Sequence, residues 1–208
     1  VQNILDSGHK AALEFDYFVF GVEGYSRVTE IQLVRKRIAS YLIKSGRAEL
    51  NGKREFSVVL PENTIDFKVN VTLPSGHIEG LSGHDLAEIS RQWYDGGIEK
   101  GMPEEDLRYL KPQATEFKAI IGMNAHALIE WFAIRCCQNA QEEIRDLAWK
   151  MLRLCRKVAP DLFTAAGPSC TQIGYCPEND RQCQRMRGVI PTKREAMKLL
   201  SSYGSRSN

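Results

Sequence analysis

Apolar and polar positions alternate from Leu13 to Val22 (LEFDYFVFGV), which predicts a β-strand that Gly24 ends, after a short helical lead-in over Val1 to His9. From Ser26 the period lengthens. Val28, Ile31 and Val34 or Arg35 fall on one side of a predicted helix with Ser26 as its N-cap, and this helix carries Gln32, Arg35, Lys36 and Arg37. A polar loop through Ser40, Ser45, Gly46 and Arg47 leads to two strand-like runs, Glu55 to Leu60 and Thr64 to Leu73. Pro74, Gly76, Gly80 and Gly83 then mark a turn-rich connection. Ser82 and Asp85 form a capping-box variant ahead of a helix over 84–99, and Pro103 opens a short helix ending near Leu110. Two further helices run from Asn124 to Arg135 and from Ala140 to Val158. The second has Ala140, Ile144, Leu147, Met151, Leu154 and Val158 as its buried stripe. From Ala165 the chain reads as loop until a last helix at about residues 192–202.

Composition narrows the class. With 208 residues, 43% hydrophobic and 26% charged, the chain has the size and make-up of one soluble globular domain with at most modest appendages. A net charge of +2 gives no whole-protein field for nucleic acid or membrane, so an anionic ligand must be met by a local arginine cluster. The apolar stretches Phe117 to Met123 and Ala127 to Ile134 are interrupted by Lys118 and Glu130 and fall short of the ~20 residues that span a bilayer. No basic-then-apolar segment opens the sequence at Val1, so a cytoplasmic enzyme is the expected setting.

Cys136, Cys137 and Cys155 fall inside helical patterns. The adjacent pair points about 100° apart on a helix and makes a poor disulfide, so reduced thiols are expected. Cys170, Cys176 and Cys183 share a Gly/Pro-rich tail with five and then six residues between them. That spacing lacks the short pairs of zinc ribbons and fingers, so the expectation is structural thiols and no metal.

Standard motifs for metals, dinucleotides and P-loop phosphates are absent, and the histidines are scattered at 9, 77, 84 and 126. Two arginine placements stand out. Arg35, Lys36, Arg37 and Arg47, with Ser40, Ser45 and Gly46 between them, put guanidinium forks beside a Gly/Ser turn. This suits a phosphate, although most charge runs are simply solvated. Arg135 ends a helical stripe of Asn124, Leu128 and Trp131. It either snorkels past Trp131 to solvent or sits at the rim of a pocket for a planar ligand.

These residues carry a resemblance. The stretch QLVRKRIASYLIKSGR (32–47) resembles the RHRxxSxxxxSxRY signature of the flavin-dependent thymidylate synthases. SGH at 7–9, the run from Arg108 through LKPQATEF, then GMNAHALIEWFAIR and NAQEEIR are similar to further stretches of that family in the same order, covering most of residues 1–165. The resemblance implies an α/β fold with helices packed on a mainly antiparallel sheet, active as a homotetramer. It implies a catalytic domain over 1–165, with a Cys-containing extension over 166–208. The implied reaction is FAD-dependent reductive methylation of C5 of a uridine monophosphate, with methylenetetrahydrofolate as carbon donor and NADPH as reductant. By position, Gln32, Arg35, Ser45, Gly46, Arg47 and Arg108 match nucleotide-holding residues. Arg135 matches the arginine that contacts the pyrimidine and assists ionisation at N3, and His9, Arg35, Lys36, Arg37, Asn124 and His126 fall where the family contacts FAD.

The sequence also departs from the family pattern. Lys36 replaces the signature histidine, Ile43 a Glu or Gln, and Ala48 the tyrosine after Arg47, while Ala11 and Glu130 stand where Thr and Asn are usual. Losing a polar group at 43 reshapes the substrate pocket. A divergent branch of the family, in nucleoside-antibiotic pathways of the polyoxin type, methylates UMP, so both dUMP and UMP are expected candidates. A non-catalytic nucleotide- or flavin-binding relative is the rival reading. An RNA-binding protein using the basic run is disfavoured by the charge balance.

Overall fold

The computed structural model describes residues 10–45, 57–180, 183 and 189–204, so the lead-in expected over Val1 to His9 lies outside the described residues. In chain order the elements are a 3-10 turn Lys10–Glu14, β1 (Tyr17–Ser26), α1 (Arg27–Leu33), β2 (Ser40–Ile43), α2 (Glu62–Ile65), β3 (Val69–Thr72) and β4 (Ile78–Leu81). There follow α3 (Gly83–Glu99), α4 (Glu104–Leu107) with a 3-10 turn Arg108–Leu110, β5 (Glu116–Asn124), α5 (Ala125–Arg135), α6 (Glu142–Val158), α7 (Pro160–Phe163), α8 (Ser169–Ile173) and α9 (Lys193–Gly204). The architecture is mixed α/β, with a three-stranded sheet ordered β1-β5-β2 and an antiparallel hairpin β3-β4. Two compact units divide it. One comprises the described residues of Val1–Phe20, Lys36–Ser40 and Gly122–Asn208, the other those of Gly21–Arg35 and Tyr41–Ile121.

The middle strand, β5, is one that the alternation pattern passes over. Phe117, Ala119, Ile121 and Met123 point inward and are buried, and Glu116 and Lys118 keep a polar beat at the start, but Ile120 and Gly122 are apolar as well, so the alternation fades after Ala119. Gly122 lets a side chain of β1 reach across β5. A Cβ there would lie 2.6 Å from the Tyr17 ring, whose hydroxyl donates to Ser40 Oγ on β2 at 3.1 Å.

β1 is antiparallel to β5. Arg27 N–H donates to the Thr115 carbonyl and Ala125 N–H to that of Asp16, so between the two bonds β1 advances eleven residues and β5 ten. The extra residue is a β-bulge. Gly24 adopts φ +78°, and its N–H donates to Glu116 Oε1 at 2.8 Å, while Ser57 Oγ donates to Oε2 at 2.6 Å. The Ser57 bond, foremost, holds the Glu116 carboxyl below its ordinary range against the opposing effect of burial, with a smaller lowering from the Gly24 bond. Inward positions switch phase across the bulge, from Phe20 and Val22 to Tyr25. Gly24 therefore does not end the strand, which continues to Ser26.

Ser26 is the N-cap of α1, though its side chain makes no capping bond. The expected apolar face is wrong: α1 buries Thr29 and Leu33, whereas Val28, Ile31 and Val34 are exposed. Seven residues are too few for three apolar side chains to dictate a face against the direction in which the strand delivers the helix. The helix stops at Leu33, so Arg35, Lys36 and Arg37 lie beyond it, and the expected polar loop contains β2. Of the run Glu55 to Leu60, the described part contributes a single bridge, Val58 to Thr115. The run from Thr64 starts helical in α2 and becomes a strand only at Val69, and the expected turn region after Pro74 holds β4.

Later elements follow the reading more closely. Ser82 and Asp85 form the reciprocal capping box of α3, and Asn124 accepts from the Ala127 N–H at 2.8 Å as N-cap of α5. In α6 the buried face is Ile144, Leu147, Ala148, Met151, Leu152 and Cys155, while Leu154 and Val158 of the expected stripe are exposed. Burial pushes the Cys155 thiol up to about 12, which leaves it an inert core group. The tail is more structured than expected. α8 interrupts the loop, and α9 runs from Lys193 to Gly204.

In the first unit Phe163 packs edge-on against Phe18 at 5.2 Å and Phe132 at 6.1 Å between ring centroids. In the second, Leu33, Tyr94, Leu107, Phe117 and Ile121 are buried.

A Cβ at Gly83, the first residue of α3, would stand 2.6 Å from the Thr64 carbonyl oxygen. Helix propensity alone favours alanine over glycine by up to ~1 kcal/mol. A backbone oxygen cannot swing aside as a side chain can, so Gly83→Ala is expected to destabilise by ~1–3 kcal/mol. The measurement is the urea midpoint, and a rise in the midpoint would show that the α2 turn yields freely.

Candidate active site

The described candidates fall into two groups, one in each unit. His9, Gly46 and Arg47, together with the departure at Ala48, lie outside the described residues.

In the first unit, the β5 to α5 junction organises the site. Asn124 uses its side-chain carbonyl as the cap of α5, so the cap does not consume its amide NH2 donors. Two residues on, the half-buried His126 ring lies between carboxylates, Nδ1 at 3.5 Å from Glu14 Oε1 and Nε2 at 3.6 Å from Glu130 Oε1. Glu130 in turn accepts from Lys36 Nζ at 2.5 Å. The Lys36 bond, foremost, holds the Glu130 carboxyl below its ordinary range, with smaller help from the charges of Lys36, His126 and Lys10 against the effect of burial. Two positions that the sequence presents as separate departures from the family are thus one contact. Arg37 is exposed. Arg135 closes α5 after the buried Leu128 and Trp131, half-buried itself, and desolvation lowers its pKa.

In the second unit, Gln32 is half-buried on the last turn of α1, and Arg35, Ser45 and Arg108 are exposed. Arg35 and Arg108, like Arg37 in the first unit, make no side-chain hydrogen bond or ion pair among the described residues. Close to Ser45, β2 and β5 form an open groove of about 500 Å³ lined by Val22, Leu42, Ile43, Ala119 and Ile120, with Lys44 and Lys118 as its cations. That volume suits a small molecule, and Ile43 is one of its walls. Lys118 Nζ lies 3.5 Å from Glu23 across the groove.

Glu14 and Glu130 are the site residues that sequence reasoning missed as partners. The legible signal was complementary: a cation at 36 and an anion at 130, each at a position where the family pattern holds a neutral or weakly basic group.

With this arrangement in view, comparison with known proteins is informative. The sequence model of the family described as "Thymidylate synthase complementing protein" matches residues 1–161. The chain is 40% identical over 195 residues to the flavin-dependent thymidylate synthase of Geobacter sulfurreducens, covering 94% of this chain and 80% of that one. It is 38% identical over 181 residues to that of Nitratidesulfovibrio vulgaris (87% and 73%) and 37% identical over 183 residues to that of Pyrococcus furiosus (85% and 71%). This chain, matched by the family model over residues 1–161 and by these relatives over most of its length, belongs to the flavin-dependent thymidylate synthase family.

The lowered pKa of Glu130 has a testable sign. A carboxylate held below its unfolded value contributes stability above that value and loses it as pH falls through the folded pKa. Glu130→Gln is expected to cost no more than about 1 kcal/mol at pH 7, because Glu130 is exposed and the pair is screened. The melting temperatures of wild type and variant should converge towards pH 3. A gap that persists or widens in acid would show that packing, not the ion pair, carries the difference.

Proposed function

We propose that this enzyme, a flavin-dependent C5 methyltransferase of the thymidylate synthase type, methylates C5 of a uridine monophosphate using methylenetetrahydrofolate. The observation that carries the reading is the set of exposed guanidinium groups at Arg35, Arg37 and Arg108. They have no carboxylate partner among the described residues, in a chain whose charges otherwise nearly balance. Unpaired guanidinium forks are suited to phosphate oxygens. Arg35 and Arg108, with Gln32, Ser45, Gly46 and Arg47, are read as holding the nucleotide.

The donor set also fits FAD. Its pyrophosphate calls for cations, supplied by Arg35, Arg37 and Lys36, and its ring edge calls for neutral donors and acceptors, supplied by Asn124, His126 and His9. When bound and reduced by NADPH, the flavin supplies the hydride that completes the methyl group. Arg135 is read as the group at the pyrimidine edge. Its fixed charge favours loss of the N3 proton and so enriches C5 in electrons for attack on the methylene carbon, whose arrival is followed by loss of the C5 proton. No cysteine nucleophile is needed. The catalytic domain is read as residues 1–165, the active assembly as a homotetramer and the setting as cytoplasmic. The open apolar groove at Leu42 and Ile120 supports assembly of copies, and the six free cysteines support a reducing compartment. Light scattering that gave a fully active monomer would count against that assembly.

Tryptophan fluorescence titration with FAD is expected to show saturable binding by wild type and by Arg135→Lys alike. Methylation by Arg135→Lys should fall by ~10²-fold or more, because a point charge does not replace a planar fork aimed at developing charge. Absence of FAD binding by wild type would favour a binding-only relative, and near-normal turnover of the lysine variant would show that charge alone suffices.

UMP is expected to compete with dUMP. Ile43 offers an apolar wall where a polar fixing group is usual, and an apolar wall rejects an added hydroxyl by only ~10²-fold. Equimolar competition read by mass spectrometry should yield both products, with Ile43→Glu shifting the ratio. Formation of dTMP alone, unaltered by Ile43→Glu, would make this a thymidylate synthase in the strict sense.

A further inference from the structure

Three thiols beyond the matched family region and one within it line one small cavity. Cys137, just past the end of α5, lines a partly enclosed void of about 60 Å³ together with Cys170 of α8, Cys176 and Cys183. We propose that these four cysteines form an all-thiolate site for a single thiophilic divalent cation, Zn2+ by its chemistry, that pins α8 and the bridge at Cys176 to the end of α5.

Three observations carry this. The first concerns what fills the interior of the segment. Its local core consists of Cys170 and Cys176, with Cys183 and Ile190 packed against them. Among the described residues this cluster is small and rich in thiols, and small modules of that kind use a staple in place of a core. All six cysteines are free thiols, so the staple is not a disulfide here.

The second is the framework around the void. Ser169 Oγ donates to the Ala133 carbonyl at 3.1 Å and Gln172 Nε2 to that of Ile129 at 3.2 Å, which seats α8, and so Cys170, beside the helix that leads into Cys137. Cys176 is fixed by its backbone, donating to Pro191 O and accepting from Lys193 N–H, each at 2.9 Å. Three walls are thus held by bonds that do not involve sulfur. Among the described residues no three His, Cys, Asp or Glu side chains stand at ligating separation, so a bound ion would require the sulfurs to close inward from the cavity wall. The distance required at a zinc thiolate centre is ~2.3 Å from each sulfur.

The third is the ligand chemistry. Two carboxylates line the same void, Glu178, which accepts from Asn139 Nδ2 at 2.6 Å, and Asp180, which has an interaction of its own, and beside them the four soft sulfurs are the matched set. Four thiolates in a closed tetrahedron select zinc and leave no open position for a substrate, which makes the site structural. The spacing of the tail cysteines alone argues against a metal because it lacks a short pair. The fourth ligand comes from a different element some thirty residues upstream, and only the fold brings it in.

The test uses the full chain purified under reducing conditions without chelator. Elemental analysis is expected to give about one zinc per chain, and Co2+ added to metal-stripped protein should produce the visible bands of tetrahedral thiolate cobalt. Cys137→Ser and Cys176→Ser should each lower retained zinc at least tenfold, while Cys155→Ala, outside the cavity, keeps it. The cobalt spectrum of wild type does not depend on whether the serine variants fold. Reduced protein that holds no zinc and gives no cobalt bands would overturn the site. So would a native mass lower by two hydrogens per cysteine pair, which would mark disulfides instead.

Discussion

Everything that positions the candidate site depends on β5 being buried on its inner face and passing without a loop into α5. Phe117, Ala119, Ile121 and Met123 anchor the strand, and the Asn124 side chain caps the helix at the same residue where the strand ends. Burial then continues along α5 through Ala125, Ala127, Leu128, Trp131 and Phe132. A helix so surrounded leaves few places for a polar side chain. His126 and Glu130, one turn apart, occupy one narrow edge, and Arg135 takes the end. The chemistry is confined by packing before any ligand is considered.

The Lys36–Glu130 contact shows how a departure from a family pattern can be conservative in energy while altering the site. Either charge alone would face a partly desolvated surface without a counter-charge. Together they form one short hydrogen bond that also takes in the far side of the His126 ring. The exchange replaces neutral hydrogen-bonding groups with an internal ion pair, and the local net charge is unchanged.

Much of this was readable from residues. The capping box at Ser82 and Asp85 and the helix start at Asn124 carry their signals within four residues, so the structure reproduces them. What escaped was non-local. β5 loses its alternation after Ala119, where Ile120 and Gly122 are apolar on the outer face too, and the face of α1 is set by the strand that feeds it rather than by its own seven residues. The arginines of the signature were legible as a cluster, yet their placement beyond the helix, in the turn before β2, was not, since nothing in QLVRKR marks Leu33 as the last helical residue. The Glu14 and Glu130 partners of His126 and the Cys137 wall of the thiol cavity arise only when distant segments meet.

The bulge at Gly24 has a consequence at the level of the gene. An inserted residue in a strand reverses which side chains face inward from that point on, and here the phase moves from Phe20 and Val22 to Tyr25. Point substitutions at the surrounding exposed positions leave this phase alone. Loss of a single codon at Gly24 would remove the bulge and leave Tyr25 inward by plain alternation, at the cost of the Gly24 N–H bond to Glu116. Replacement of Gly24 keeps the length but sets a side chain on a backbone at φ +78°, so at this one codon a change of spelling is strained while a loss of length preserves the inward face.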